Sequence, residues 1–291
     1  MTVPDDGKVT DALTGTATTQ HEWDGIQELD TPLPRWWLYT FYLCIVWGVI
    51  YTIFFPAWPL ISGATSGVLG FSSRAQVAHS IEAQSEANSH IIERVAAADF
   101  AEIADDADMN TFARAGGGAV FRTYCSQCHG AGAAGVVGGY PNLLDDDWLW
   151  GGVPDAIAAT IRHGIRWEED EDTRWSAMPA FGQDEILTEE EIEQVAEHVL
   201  SFSGTAQPNE TGAEIYADNC AGCHGDQGRG DPEQGAPNLA DAIWLYGGDK
   251  ETVIYSIANA RYGVMPAWNT RLTESEIRQV THYVHGLGGG E

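Results

Sequence analysis

Basic residues are scarce in this chain: 14 Lys and Arg stand against 43 Asp and Glu in 291 residues, a formal charge of −29. That balance repels nucleic acid and anionic lipid and favours basic protein partners. The deficit is concentrated, since from Asp105 onward 10 basic residues face 31 acidic ones, a net −21. Methionine is scarcer, with four residues, Met1, Met109, Met178 and Met265. Of the five cysteines, Cys125, Cys128, Cys220 and Cys223 form two C-x-x-C pairs, which excludes the scattered spacing of a disulfide framework. Cys44 stands alone in an apolar run and reads as a small apolar side chain.

Long apolar runs are also few. The one that matters is Trp36 to Phe55, 20 residues without a charge, which as a helix rising about 1.5 Å per residue spans about 30 Å, the hydrocarbon thickness of a bilayer. Trp36, Trp37 and Trp58 lie at its ends, where amphipathic rings prefer the headgroup region, and Pro56 and Pro59 close it. A cleaved signal peptide would begin with a basic segment and a shorter apolar core, whereas here a largely acidic stretch comes first. Flanking charge leaves orientation open, with Arg35 on one side and Arg74 the first basic residue on the other. The expected organisation is mainly α: an N-terminal segment 1–35, an anchor 36–60, and a connecting segment 61–108 that is one weakly amphipathic helix from Arg74 to about Asp105.

The rest of the chain repeats itself. "VFRTYCSQCHG" (120–130) matches "IYADNCAGCHG" (215–225) at an offset of 95. "YPNLLDDDWLWGG" matches "APNLADAIWLYGG" at 96, "MPAF" matches "MPAW" at 87, and "LTEEEIEQVAEHV" matches "LTESEIRQVTHYV" at 85. The spacing implies two tandem domains, 109–204 and 205–291, the first with about nine extra residues that include "EEDED", Glu168 to Asp172. That run reads as a solvated loop rather than a metal site. Thr188 with Glu191, and Thr273 with Glu276, fit capping boxes opening the last helix of each repeat. Its core face is Ile192, Val195, Val199 and Phe202 in one copy and Ile277, Val280, Val284 and Leu287 in the other.

"CSQCH" and "CAGCH" carry the chemistry. Residues i and i+3 of a helical turn face one way, so Cys125 with Cys128, and Cys220 with Cys223, can each add to the two vinyl groups of one haem. His129 and His224 then turn an imidazole to the iron. A zinc site needs four ligands, and a thioredoxin-type pair has no need of a following His in both copies. Two covalently bound haem c groups are expected. A relay haem takes a sixth ligand, and each repeat offers one methionine after its motif, Met178 and Met265, each before a proline that holds it extended. His163 and His198 are not repeated, having Asn259 and Tyr283 opposite them, and His79, His90, His282 and His285 read as solvated. The Leu of each "PNL", Leu143 and Leu239, with Trp148 and Trp244, reads as a wall of the cofactor site.

The stretch "EWDGIQELDTPLPRWW", Glu22 to Trp37, closely resembles the segment entering the membrane in the dihaem subunit of cbb3-type cytochrome c oxidases, and the resemblance runs from about His21 to the end. It implies two tandem class I cytochrome c domains in the periplasm behind one inner-membrane anchor with a cytoplasmic N-terminus. It implies His and Met ligation, His129 with Met178 and His224 with Met265. It also implies partners: a catalytic haem-copper subunit, a monohaem cytochrome c subunit and a small subunit, with a basic cytochrome c or a quinol-oxidising bc1 complex as donor. Membrane lipid surrounds the anchor, and no nucleic acid is involved. Some relatives have a second spanning helix that this chain lacks. Two other readings compete, a dihaem relay for a periplasmic dehydrogenase and a dihaem peroxidase, and two Met candidates argue against the peroxidase.

Overall fold

The computed structural model describes residues 9–290, so the first eight residues of the N-terminal segment lie outside it. The chain divides into two units, one ending at Glu86 and one beginning at Ala87. In the first, Asp24 and Gly25 take φ of +51° and +85°, the pair of left-handed residues that a two-residue hairpin turn requires. They join β1 (Thr18–Trp23) to β2 (Ile26–Leu29) in an antiparallel pair.

Helix α1 (Arg35–Phe54) buries none of its residues and, among the described residues, is the helix long and apolar enough to cross a membrane. It ends where the sequence places the stop, with Phe55 extended ahead of Pro56. Its last carbonyls are not orphaned. After the small hairpin of β3 (Pro59–Leu60) and β4 (Gly63–Ala64), the amides of Val68 and Leu69 donate to Ile53 and Phe54 at 2.9 and 3.1 Å. Gly67 allows that return, with φ +67° and a would-be Cβ 2.4 Å from the Phe54 carbonyl.

The single connecting helix expected from Arg74 to Asp105 is instead three: α2 (Ser73–Ala87), α3 (Ser89–Ala97) and α4 (Phe100–Asp105). Breaks fall at Asn88 and at Asp99, whose side chain forms a capping box with Glu102. Val77 and Ile81 on α2 are exposed. An apolar face is real only from α3 onward, where Val95, Ala98 and Ile103 form a small core with Met109 and Ala113 of α5 (Ala107–Val120).

A π-helical turn, Phe121–Cys125, links α5 to α6 (Ser126–His129), and α7 (Pro154–His163), α8 (Glu189–Phe202), α9 (Glu210–Asn219), α10 (Ala221–His224), α11 (Lys250–Asn259) and α12 (Glu274–His285) follow. Both expected capping boxes, Thr188 with Glu191 and Thr273 with Glu276, are formed. The packing lobes, however, are not the two sequence repeats. One core joins Val120, Phe121, Ile157 and Ile161 of the first repeat to Leu272, Ile277, Val280 and Val284 of the second. The other joins Phe181, Ile192, Val195 and Val199 of the first repeat to Tyr216, Val253 and Ile257 of the second. The repeats exchange their closing halves, so that α12 packs on α5 and α7 while α8 packs on α9 and α11.

Glycine sets the two crossings. A Cβ on Gly117 of α5 would lie 2.0 Å from the carbonyl oxygen of Gln279 on α12, and one on Gly212 of α9 would lie 2.1 Å from that of Gln194 on α8. These are equivalent positions in the two repeats, each set against the other repeat's helix. Gly117→Ala and Gly212→Ala are each expected to force the helices apart and lower stability by about 1–3 kcal/mol. Gly132→Ala, which meets nothing within 4 Å, serves as the neutral control, and thermal unfolding of the haem-loaded protein reads the difference.

Candidate cofactor sites

Each C-x-x-C-H motif ends in a short helical turn, α6 or α10, with its first cysteine, Cys125 or Cys220, at the N-cap. The ring of His129 donates from Nδ1 to the Pro141 carbonyl at 3.2 Å, and that of His224 donates from Nδ1 to the Pro237 carbonyl at 3.0 Å. A carbonyl only accepts, so Nδ1 carries the proton and the Nε2 lone pair is left for a metal. The proline of each "PNL" thus orients a ligand. Burial lowers the pKa of both imidazoles against the opposing effect of that hydrogen bond. Burial, with the neighbouring Cys128 or Cys223 adding to it, pushes the Cys125 and Cys220 thiols up to about 11. Thiols so raised are not the activated thiolates of a redox pair.

The methionines are brought to these motifs crosswise. Met265 packs against the core that holds Cys125, Leu143 and Trp148, and Met178 against the core that holds Cys220, Leu239 and Trp244. Backbone bonds repeat the pattern. Met265 and Ile165 exchange N–H···O bonds of 3.0 and 2.9 Å, and Trp268 donates to Ile161 at 3.1 Å. In the other lobe Phe181 donates to Ile257 at 3.2 Å and Gly182 to Ala258 at 3.1 Å. The segment bearing each methionine is seated on the end of α7 or α11 of the opposite repeat, whereas the expected pairing of His129 with Met178 and of His224 with Met265 keeps it within its own. All eight expected site residues fall in these two places, regrouped.

Two arginines carry no motif that marks them in the sequence. Arg174 and Arg261 each stand four residues before a methionine, and that shared spacing is the one signal of their role. Arg174 donates to the Trp150 carbonyl at 2.7 Å and lies 5.4 Å over its ring. Arg261 donates to the Tyr246 carbonyl at 2.9 Å and lies 4.6 Å over its ring. Trp150 and Tyr246 are themselves equivalent, so each methionine segment is anchored on its own repeat's wall before it crosses. A haem c fits the donors gathered here: paired thiols, a free imidazole nitrogen and a thioether in each lobe. The buried, unpartnered Trp150 Nε1 adds a donor of the kind that a carboxylate-edged group takes.

The remaining candidates lie elsewhere. His163 bonds through Nδ1 to Asp170 at 3.0 Å, and Asn269 donates to the same carboxylate at 2.6 Å. The insertion is therefore not wholly solvated: Glu168, Glu169, Glu171 and Asp172 are exposed while Asp170 turns inward. His198 packs edge-on against Phe202 and tilted against Tyr216. His282 and His285 are partly buried rather than solvated.

A cavity of about 270 Å³ lies between the second "PNL" segment and residues 146–149, lined by Asp146, Asp147, Trp148, Arg229, Pro237 and Asp241. Burial, helped by Asp241, Asp145 and Asp146, pushes the Asp147 carboxyl up to about 6. A carboxyl raised in this way holds its proton more tightly folded than unfolded. Its favourable contribution is full below the ordinary carboxylate value and is lost as pH rises through about 6. Asp147→Asn is expected to be more stable than the parent by about 2 kcal/mol at pH 7.5 and no more stable at pH 4. Thermal melts across that range measure it.

The comparisons with known proteins follow the same division. Residues 15–62 match the N-terminal domain of cytochrome oxidase-cbb3, FixP. Residues 113–199 and 207–284 each match cytochrome c oxidase, cbb3-type, subunit III. Over 277 residues, 94% of this chain and 95% of the relative, the sequence is 57% identical to the cbb3-type cytochrome c oxidase subunit CcoP of Cereibacter sphaeroides. It is 48% identical over 99% of both chains to subunit FixP of Sinorhizobium medicae. With subunit CcoP of Rhodobacter capsulatus it shares 50% identity over 94% of this chain and 96% of the relative.

Proposed function

The chain belongs to the subunit III family of cbb3-type cytochrome c oxidases, and from that premise we propose that it relays electrons to the oxidase's catalytic subunits through two covalently bound haem c groups. The observation that carries this is the pair of lobes, each joining one C-x-x-C-H motif, its proline-oriented histidine and a single methionine. Bound haem c supplies a one-electron iron couple, which a thioether ligand biases toward the ferrous state. Cys125 and Cys128 hold one group, and Cys220 and Cys223 the other. His129 shares its iron with Met265, and His224 shares its iron with Met178. Helix α1 contains no histidine, so oxygen chemistry, which needs haem and copper held by several membrane histidines, belongs to a catalytic subunit. The N-terminus is cytoplasmic, the haem lobes periplasmic and α1 the single anchor. A monohaem subunit and a small subunit complete the assembly.

Crossed ligation has a direct test. Cys125→Ala with Cys128→Ala is expected to leave one haem mass and one sulfur-to-iron charge-transfer band in the far red. In that background Met178→Ala removes the remaining band, whereas Met265→Ala leaves it. The reverse result would restore ligation within each repeat.

The net −21 from Asp105 onward gives a long-range field for a basic donor, a soluble cytochrome c or a bc1 complex presenting one, screened over about 8 Å at physiological ionic strength. Replacing the exposed Glu168, Glu169, Glu171 and Asp172 by Gln and Asn is expected to slow association with a basic cytochrome c several-fold at low salt. The haem potentials should stay in place. Stopped-flow reduction at several ionic strengths reads both the rate and its salt slope, and an unchanged slope would leave those four residues with solvation alone.

A further inference from the structure

Arg166 lies in the stretch that only the first repeat has, and it is nearly fully buried. Its Nε donates to the Gly263 carbonyl at 2.8 Å and its Nη1 to the Ser176 carbonyl at 2.5 Å. Gly263 is two residues before Met265, and Ser176 is two residues before Met178. One planar guanidinium therefore grips both methionine segments at the point where they pass between the lobes. Its backbone amide adds a third tie, to the Arg174 carbonyl at 2.9 Å.

Three features argue that this is more than filler. Among the described residues no carboxylate forms an ion pair with Arg166, so a charge has been buried on carbonyl oxygens and the face of Tyr262, 5.4 Å away, an arrangement that burial alone disfavours. The residue holds φ +52°, a left-handed conformation in which a side chain larger than glycine's is strained and which persists only where surrounding contacts impose it. Finally, Arg174 and Arg261 each hold a carbonyl of their own repeat's wall, whereas Arg166 reaches the two crossing segments together. The fork geometry suits that task, since rigidly spaced N–H groups can serve two acceptors at once and a lysine ammonium on a flexible stem cannot reproduce the planar arrangement.

We propose that Arg166 is a positioning residue that sets both methionine sulfurs from one side chain, coupling the two iron sites. The proposal rests on the reading that Met178 and Met265 are ligands. When the grip is lost, both segments loosen, so the sulfur-off population rises at both haems although the substitution touches neither.

The test uses the haem-loaded full chain with four variants, Arg166→Gln, Arg166→Lys, Met178→Ala and Met265→Ala. Site-resolved spectra, redox titration and imidazole binding to the ferric protein are the readouts. Arg166→Gln is expected to weaken the sulfur-to-iron band of both haems, lower both potentials and speed imidazole binding at both by about tenfold. Arg166→Lys, which keeps the charge, should recover only part of the bands. Loss of the band at one haem alone, or at neither, while each methionine variant removes its own, would overturn the proposal and leave the ligands standing. Potentials that fall with both bands intact, and that Arg166→Lys restores, would also overturn it by showing an effect of charge without positioning. If neither methionine variant alters a band, the ligand assignment fails and takes the proposal with it. Should Arg166→Gln not fold, Arg166→Lys decides the question alone, because full bands in that variant exclude a geometric role for the fork and weakened bands at both haems support it.

Discussion

The close crossing of two helix pairs, made at Gly117 on Gln279 and at Gly212 on Gln194, is the constraint on which the haem-bearing unit depends. Glycine within a helix costs about 1 kcal/mol relative to alanine, and α5 carries three in a row, Gly116 to Gly118. Only the middle one recurs in the second repeat, where Thr211 and Ala213 flank Gly212. The recurring position is the one whose Cβ would strike a partner's backbone in each lobe, so what is lost in propensity is offset by apolar faces brought into contact. Val195 and Val199 on one closing helix, and Val280 and Val284 on the other, are buried by that approach.

Exchange of the closing halves follows from connection length. The turn between α8 and α9, residues 203–209, is short enough to favour antiparallel packing of the helices it joins. Once α8 lies on α9, the first repeat has lost its own closing helix and α12 fills the place. The lobe around Cys220 is then continuous in sequence from about Met178 to Ala260, while the lobe around Cys125 joins α5 and α7 to a segment roughly a hundred residues later. Closing such a loop costs little more entropy than closing a shorter one, because the cost grows only with the logarithm of length. Residual ion pairs agree with the pairing, Arg162 with Glu274 at 2.8 Å and Lys250 with Glu193 at 2.6 Å, although partly exposed pairs like these add little to stability.

Much of this was legible in the sequence, and what was not has a definite cause. The apolar run of α1, the C-x-x-C-H motifs, the two capping boxes and the core faces of α8 and α12 are local patterns, and local patterns are what periodicity and spacing report. The crossed seating of the Met178 and Met265 segments is not local. In a duplicated domain each half carries the same complementary surface as its copy, so Gly117 would meet Gln194 or Gln279 with the same chemistry, and no residue type distinguishes the outcomes. The seven-residue turn was the one clue. The connecting segment failed differently: sparse apolar residues from Val77 to Val95 mimic one helix, and it breaks at Asn88 and again at Asp99, whose side chain takes the Glu102 amide. In the insertion, composition described the exposed carboxylates correctly and missed Asp170, whose partners His163 and Asn269 are supplied by the tertiary fold.

The exchange also changes what the two sites can do independently. Each methionine segment starts on the wall of its own repeat, held by Arg174 on Trp150 or Arg261 on Tyr246, and ends in backbone bonds to α7 or α11 of the other. Both segments are therefore straps between the lobes, and any shift of one lobe against the other would pull on both sulfurs in the same motion. Tandem domains joined only by a linker have no such tie and move relative to one another by default. An electron relay benefits from the stiffer arrangement, because a packed interior with two reciprocal straps resists rearrangement when charge arrives and departs. The rigidity comes from the topology of the exchange, and it needs neither a disulfide nor a bridging metal.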